Sequence, residues 1–145
     1  MELPGEVDDF LQSHHVLTLA TTSGGAPYAC NCYYVFNPAD ASFVFLSNPE
    51  TRHGREMAAD ARVAGTVHVE PPADQVALIQ GVQFTGRVQR LAEEANGERE
   101  AYYAAVPYAK DVPGGVFWKI TCDFIKMTDN TVRFGYKILW EPGGS

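Results

Sequence analysis

The sequence predicts a mainly β fold of the α+β class, an antiparallel barrel of about seven strands with about three short helices. Three observations point there. Extended segments of alternating apolar and polar residues recur along most of the 145-residue chain. Turns rich in Gly, Pro, Asn and Asp separate them, and the few helical stretches are short and not interleaved regularly with strands, as βαβ units would require.

Glu6 to Ser13 places Val7, Phe10 and Leu11 at helical spacing, a short helix suited to covering one barrel end. His15 to Thr22 and Tyr28 to Phe36 are rich in β-forming residues and flank the Gly–Pro turn of Ser23 to Pro27, which reads as a hairpin. After a second turn at Asn37 to Ala41, Phe43 to Leu46 is apolar on both faces and predicts a central strand. Helical spacing returns between Asn48 and Asp60, weakened by Gly54, and Arg62 to Val69 resumes as strand.

Beyond Pro71 and Pro72 lies what reads as the longest extended segment, with Val76, Leu78, Val82, Phe84 and Val88 on one parity and Gln75, Gln83, Thr85, Arg87 and Gln89 on the other. Gly81 and Gly86 within it suggest bulges or tight curvature, and Gln80 shares the parity of the apolar face. Ala92 to Val106 predicts a surface helix ended by Pro107. Two amphipathic strands close the chain, one carrying Val116, Trp118, Ile120, Cys122 and Phe124 and the other Val132, Phe134, Tyr136, Ile138 and Trp140, about a turn at Thr128 to Asn130.

Composition narrows the function. The chain is of ordinary domain length with 46% hydrophobic residues, so one folded domain over residues 1–145 is expected. A formal charge of -7 disfavours nucleic acid as a partner, because phosphate-backbone affinity comes mainly from Lys and Arg. No apolar run approaches the roughly 18 residues of a membrane span. The first ten residues hold Glu2, Glu6, Asp8 and Asp9 and no basic residue, unlike a secretory leader. A cytoplasmic protein without membrane or nucleic-acid partners is expected, and three cysteines predict no disulfide framework.

The stretch FLSNPETRHGREM, from Phe45 to Met57, concentrates the chemistry. An apolar strand runs into Ser47, Asn48, Thr51, Arg52 and His53 at the start of a helix, where unpaired backbone N–H groups, a hydroxyl and a guanidinium fork suit an anion such as phosphate. Local physics equally allows Thr51 to be a simple N-cap and Arg52 a solvated surface residue.

The order of elements, together with VLTLATTSGGAPYACNCYYVF, FVFLSN, TRH before a helix, ARVAGTV and GVQFTGRVQRL, resembles the pyridoxamine 5'-phosphate oxidase-like FMN-binding split barrels. ALIQGVQFTG and the closing TDNTVRFGYKILW are similar to the small YhbP-type branch of that superfamily. The resemblance implies a split barrel of Greek-key type that pairs as a homodimer with FMN in an interface groove. It places Thr51, Arg52 and His53 at the FMN phosphate, with His53 where the oxidases usually carry Lys. It sets the Cys30, Asn31, Cys32 and Tyr33 strand beside the isoalloxazine, with Ser47 and Asn48 at the end of the next strand. The oxidases also close with a basic Arg and His cluster for their substrate's phosphate, where this chain reads EPGGS, so pyridoxamine phosphate oxidation itself is not implied.

Two function classes follow from the resemblance. One is an FMN-dependent oxidoreductase acting on a small organic substrate, with NAD(P)H as a candidate electron donor and no catalytic acid or base evident. The other is a non-catalytic carrier of flavin or haem, or a barrel that has lost its ligand. Trp118 and Trp140 suit either ordinary packing or the border of a groove. Cys30 and Cys32 point to one side of a strand and could join His53 or His68 in a metal site. Zinc-binding pairs usually stand two to four residues apart across a turn, so no metal is expected and small buried thiols are the simpler reading.

Overall fold

The structure, a computed structural model, describes residues 2–144. Helix α1 (Gly5–Gln12) leads into the hairpin of β1 (Val16–Ser23) and β2 (Ala26–Tyr33), followed by β3 (Val35–Asn37) and β4 (Ser42–Ser47). Helix α2 (Arg52–Ala59) connects β4 to β5 (Arg62–Val69), and β6 (Gln80–Arg90) follows. Helix α3 (Asn96–Ala105) precedes β7 (Val116–Asp129) and β8 (Lys137–Trp140). The strands form one sheet in the order β2-β1-β5-β6-β7-β4-β3, with β8 beside β7, and the ladders are antiparallel. This is the curled, mainly β architecture of a split barrel. No helix among the described residues is long and apolar enough to cross a membrane.

The register explains the curl. Across β1, β5, β6 and β7 the partners Leu19, Gly65, Phe84 and Ile125 lie in one row, and Val67, Val82 and Met127 continue the next. These inward residues are buried with Phe43 and Phe45 of β4 and Ile120 of β7 in one core. Val7, Phe10 and Leu11 of α1 close one end, and the Tyr34 hydroxyl, at the break between β2 and β3, donates to the Leu11 carbonyl at 2.8 Å. Burying apolar area at roughly 25 cal/mol per Å² is what drives the sheet to curl over its own inner face.

β4 is apolar on both faces because it serves two cores. Phe43 and Phe45 enter the barrel, whereas Val44 joins Phe117, Leu91, Tyr102, Val106 and Ala109 in a second cluster under α3. The strand lies between β7 and β3, one position in from the sheet edge.

Several expectations need correcting. Among the described residues there are eight strands, and the longest is β7 at 14 residues, against 11 for β6. Val76 and Leu78 belong to a 3-10 turn over Ala73–Leu78 and are exposed, since Pro71 and Pro72 hold this segment out of the ladder and pairing begins only at Gln80. Gln80, half-buried at the start of β6, does find a polar partner: its side-chain amide donates to Asp129 at 3.2 Å. Gly81 sits in unbroken register, whereas the ladder slips beside Gly86, where Gly86 faces Cys122 and Thr85 faces Phe124. The extra residue is Asp123. It reverses the inside–outside phase of β7, so Trp118, Ile120 and Cys122 point inward before it and Ile125 and Met127 after it, leaving Phe124 outside. The expected last strand from Val132 is cut to four residues, and Phe134, 86% exposed, lies in the loop before it. Gly135 in that loop has φ +78°, a backbone that favours glycine and interrupts the extended run.

Gly65 marks the tightest crossing. A Cβ there would stand 2.6 Å from the Thr18 carbonyl oxygen and collide with the Phe84 ring that lies over the glycine. Backbone on one side and a buried ring on the other leave nothing to give way. Gly65→Ala is therefore expected to lower stability by roughly 1–3 kcal/mol, the scale of core overpacking, read as a reduced midpoint in urea denaturation. An unchanged midpoint would show that β1 and β6 can separate at this point.

Candidate functional site

The site forms where β4 gives way to α2. Asn48 ends the strand with an Asx turn, its Oδ1 accepting from the Glu50 N–H at 2.8 Å. Its carbonyl accepts from the Thr51 hydroxyl at 2.7 Å, and the Thr51 oxygen in turn accepts from the Gly54 N–H at 3.1 Å as the N-cap of α2. Gly54 is required by closeness rather than by flexibility: a Cβ would meet the Asn48 and Pro49 backbone at 2.7 to 2.8 Å. The turn is thus folded tightly onto the first turn of the helix.

His53 points back toward the strand end. Its Nε2 shares a 2.6 Å hydrogen bond with Ser47 Oγ and lies 3.3 Å from Thr51 Oγ1. The Ser47 carbonyl accepts from the Trp118 indole N–H at 3.2 Å, which fixes the strand end against β7 and assigns Trp118 to packing beneath the site. Burial holds the His53 pKa below the ordinary imidazole value, an effect that the nearby Glu56 carboxylate only partly offsets. His53 is therefore neutral near pH 7 and offers hydrogen bonding without a charge.

Arg52 supplies the positive charge. Its Nε donates to Glu56 Oε2 at 2.9 Å, its guanidinium lies 4.1 Å from the centre of the Tyr28 ring, and its side chain stays half exposed. Glu56 is only 8% exposed, and its second oxygen accepts from the buried Thr21 hydroxyl at 2.8 Å. Hydrogen bonding from Arg52, then from Thr21, holds the Glu56 carboxyl below the usual carboxylate range. Glu56 takes only the Nε corner of Arg52, so the guanidinium is oriented with its outer edge toward solvent. Glu56, Thr21 and Tyr28 were not singled out from the sequence. The i,i+4 spacing of Arg52 and Glu56 was the available signal for the first of them.

The second group faces this turn from the hairpin. Cys30 and Cys32 lie on the inward side of β2 with their Sγ atoms 4.0 Å apart, and both remain thiols. Their ligand atoms and that of His53 all lie within 4.8 Å of one another. The hydrogen bond between the thiols lowers the Cys30 pKa and raises that of Cys32, which burial raises further. Asn31 and Tyr33 are not gathered here, because side chains alternate along a strand. Asn31 accepts from the Thr18 hydroxyl on the outer face, and Tyr33 stacks on His15 and meets Tyr102 of α3 edge-on. His68, the other candidate beside the thiols, is exposed on β5 and stands outside the cluster.

The family pattern described as pyridoxamine 5'-phosphate oxidase matches residues 3–129. The UPF0306 protein YhbP of Escherichia fergusonii is 39% identical over 141 residues, covering 97% of this chain and 94% of that protein. Among solved structures, a haem-binding protein from Mycobacterium smegmatis superposes with a TM-score of 0.76 at 20% identity, over 99% of this chain and 60% of its own. An FAD-binding protein from Mesorhizobium loti does so with a TM-score of 0.68 at 22% identity, over 83% of this chain and 87% of its own. These two likenesses concern the fold.

The Glu56 network carries a pH signature. A carboxyl whose folded pKa lies below its unfolded value contributes stability above the unfolded value, and loses that contribution as the pH falls through the folded one. Glu56→Gln is expected to lower the melting temperature by a few degrees at pH 7, with the gap to wild type closing as the pH drops below 4.5. Parallel thermal melts between pH 3 and 7 read this directly; a gap that stays constant would mean the carboxylate charge plays no part.

Proposed function

This chain belongs to the pyridoxamine 5'-phosphate oxidase family of split barrels, and from that premise we propose that it is a flavoprotein holding FMN with its phosphate at the start of α2. The observation that carries the reading is the oriented Arg52. The Glu56 carboxylate and the Tyr28 ring hold the guanidinium in place while leaving its outer edge to solvent beside a capped helix start. A guanidinium fixed beforehand loses little entropy on meeting a phosphate, and the helix start adds a partial positive charge.

The donor set fits such a group. Arg52 supplies the charge, His53 and Ser47 supply hydrogen bonds at the strand end, and Asn48 and Thr51 shape the turn through their own bonds. Thr51 contributes chiefly as the cap, since its hydroxyl is already engaged with Asn48 and Gly54. Cys30 and Cys32 lie next to His53, whereas Asn31 and Tyr33 would contribute through the β2 backbone. Bound FMN supplies hydride or single-electron transfer, and the protein's part is to bind, orient and shield it. The proposed activity is oxidoreduction of a small organic substrate, with NAD(P)H as electron donor, by a cytoplasmic homodimer whose two copies enclose the flavin.

A carrier of haem is the second reading. It is favoured by the haem-binding description of one structural neighbour and by His68 beside an apolar groove lined by Val69, Pro71, Val76 and Ile79. A split barrel without a ligand is the remaining alternative.

Absorbance titrations of the protein with FMN, riboflavin and haem separate these readings. FMN is expected to bind and riboflavin, lacking the phosphate, to bind much more weakly. Arg52→Ala should weaken FMN by about ten- to a hundredfold, the worth of a hydrogen bond to a charged group at roughly 1.5–3 kcal/mol. Equal affinities for FMN and riboflavin, or an unchanged Arg52→Ala variant, would remove the phosphate from this turn. NAD(P)H oxidation by the FMN-loaded protein would then mark an enzyme rather than a carrier.

A further inference from the structure

We propose that Cys30, Cys32 and His53 form a binding site for a thiophilic divalent cation of the zinc type. The three donors come from two elements. Cys30 and Cys32 project from the inner face of β2, opposite Leu19 and Leu17 of β1, and His53 comes from the first turn of α2. Only the packing of α2 over the hairpin brings them to within 4.8 Å of one another.

The spacing suits a metal better than a disulfide. Two thiolates bound at about 2.3 Å with a tetrahedral angle stand about 3.8 Å apart, close to the 4.0 Å between these sulfurs. A disulfide would require them to close to about 2.05 Å between residues two apart on a paired strand. The usual objection to a Cys-x-Cys pair is that zinc sites take their thiolates across a turn. Here the strand itself points both thiols at one spot, and the third donor arrives from another element.

The donor chemistry selects the ion. Two sulfurs and an imidazole nitrogen are soft to borderline ligands, suited to zinc and poorly suited to calcium or magnesium, which take oxygen. Binding replaces the two thiol protons, which pass to solvent, so two thiolates and one dication leave the site neutral. Such neutrality suits a location where Cys32 is buried and Cys30 and His53 are half-buried. The ring is already oriented by the Ser47 hydroxyl, as outer hydrogen bonds orient metal-ligating histidines. Three protein ligands leave the fourth tetrahedral position open to water or to an incoming ligand, the pattern of a reactive rather than a purely structural site. The site goes beyond the flavin reading and does not depend on it, although Cys30, Cys32 and His53 figure in both.

The test uses the full chain, reduced and free of metal and flavin, titrated anaerobically with Co²⁺ as a spectroscopic stand-in for Zn²⁺. The wild type is expected to bind one ion, with a thiolate-to-cobalt charge-transfer band in the near ultraviolet that Zn²⁺ then abolishes. Cys30→Ser and Cys32→Ser should each remove about half of the band, since each removes one of two thiolate ligands. His53→Ala should keep the band but weaken binding at least tenfold, roughly the scale that even outer-shell losses reach. Cys122→Ala, which removes the thiol outside the cluster, should leave the titration unchanged. Circular dichroism confirms that each variant is folded, and the two serine variants are near-isosteric should His53→Ala fail to fold. No charge-transfer band in the wild type, or a band that survives the Cys30→Ser and Cys32→Ser double variant, overturns the site. Because no flavin is present, either result stands apart from whether FMN binds.

Discussion

A single antiparallel sheet here has to bury one face against itself, and the rest of the molecule is arranged around the places where it bends to do so. At Gly65 the β1 backbone and the Phe84 ring approach so closely that no side chain fits, and beside Gly86 an extra residue in β7 breaks the register. The bulge at Asp123 both increases curvature and reverses which residues of β7 face inward. One long strand can then serve β4 with its first half and β8 with its second while pairing with β6 along nearly its whole length. Without that bend the inner rows of Leu, Val, Phe and Ile would lie on an open, wet surface.

The turn leading into α2 depends on the same curl. Because the hairpin of β1 and β2 wraps toward α2, the buried Glu56 can reach Thr21 on one side and Arg52 on the other. The carboxylate thus ties the helix to the sheet and fixes the direction of the most prominent cation at the helix start. The same docking sets His53 between Ser47 at the end of β4 and the thiols of β2. A small set of polar contacts across one helix therefore links stability, the orientation of the Arg52 guanidinium and the assembly of a sulfur-nitrogen donor cluster.

Much of the fold was legible in the sequence. Composition rich in β-formers marked β1, alternation marked β6 and the first part of β7, and the doubly apolar Phe43 to Leu46 run found its reason in two cores on either side of β4. The misreadings share a cause. Parity continues on paper through Val76, Leu78 and Phe124, but backbone pairing stops at the proline-bounded turn and shifts phase at Asp123. Apolar spacing alone cannot register either event. The site was half legible: Ser47, Asn48, Thr51, Arg52 and His53 do converge, since they are near neighbours in the chain, while Asn31 and Tyr33 face away from Cys30 and Cys32 by the alternation of the strand.

The sequence by itself determined the mainly β class, the family, and the grouping of Ser47, Asn48, Thr51, Arg52 and His53 at the turn after β4, because these rest on local periodicity, composition and residues adjacent in the chain. The tertiary structure decided what needed distant segments to meet: that Glu56 is buried and orients Arg52, and that Cys30 and Cys32 share a corner with His53. The Arg52–Glu56 pair is local to α2, whereas the Thr21–Glu56 bond that buries the carboxylate and the approach of His53 to the two thiols join residues more than 20 positions apart. Their existence depends on how far the sheet curls and on where α2 comes to rest, and both are set by the packing of the whole core rather than by any local pattern.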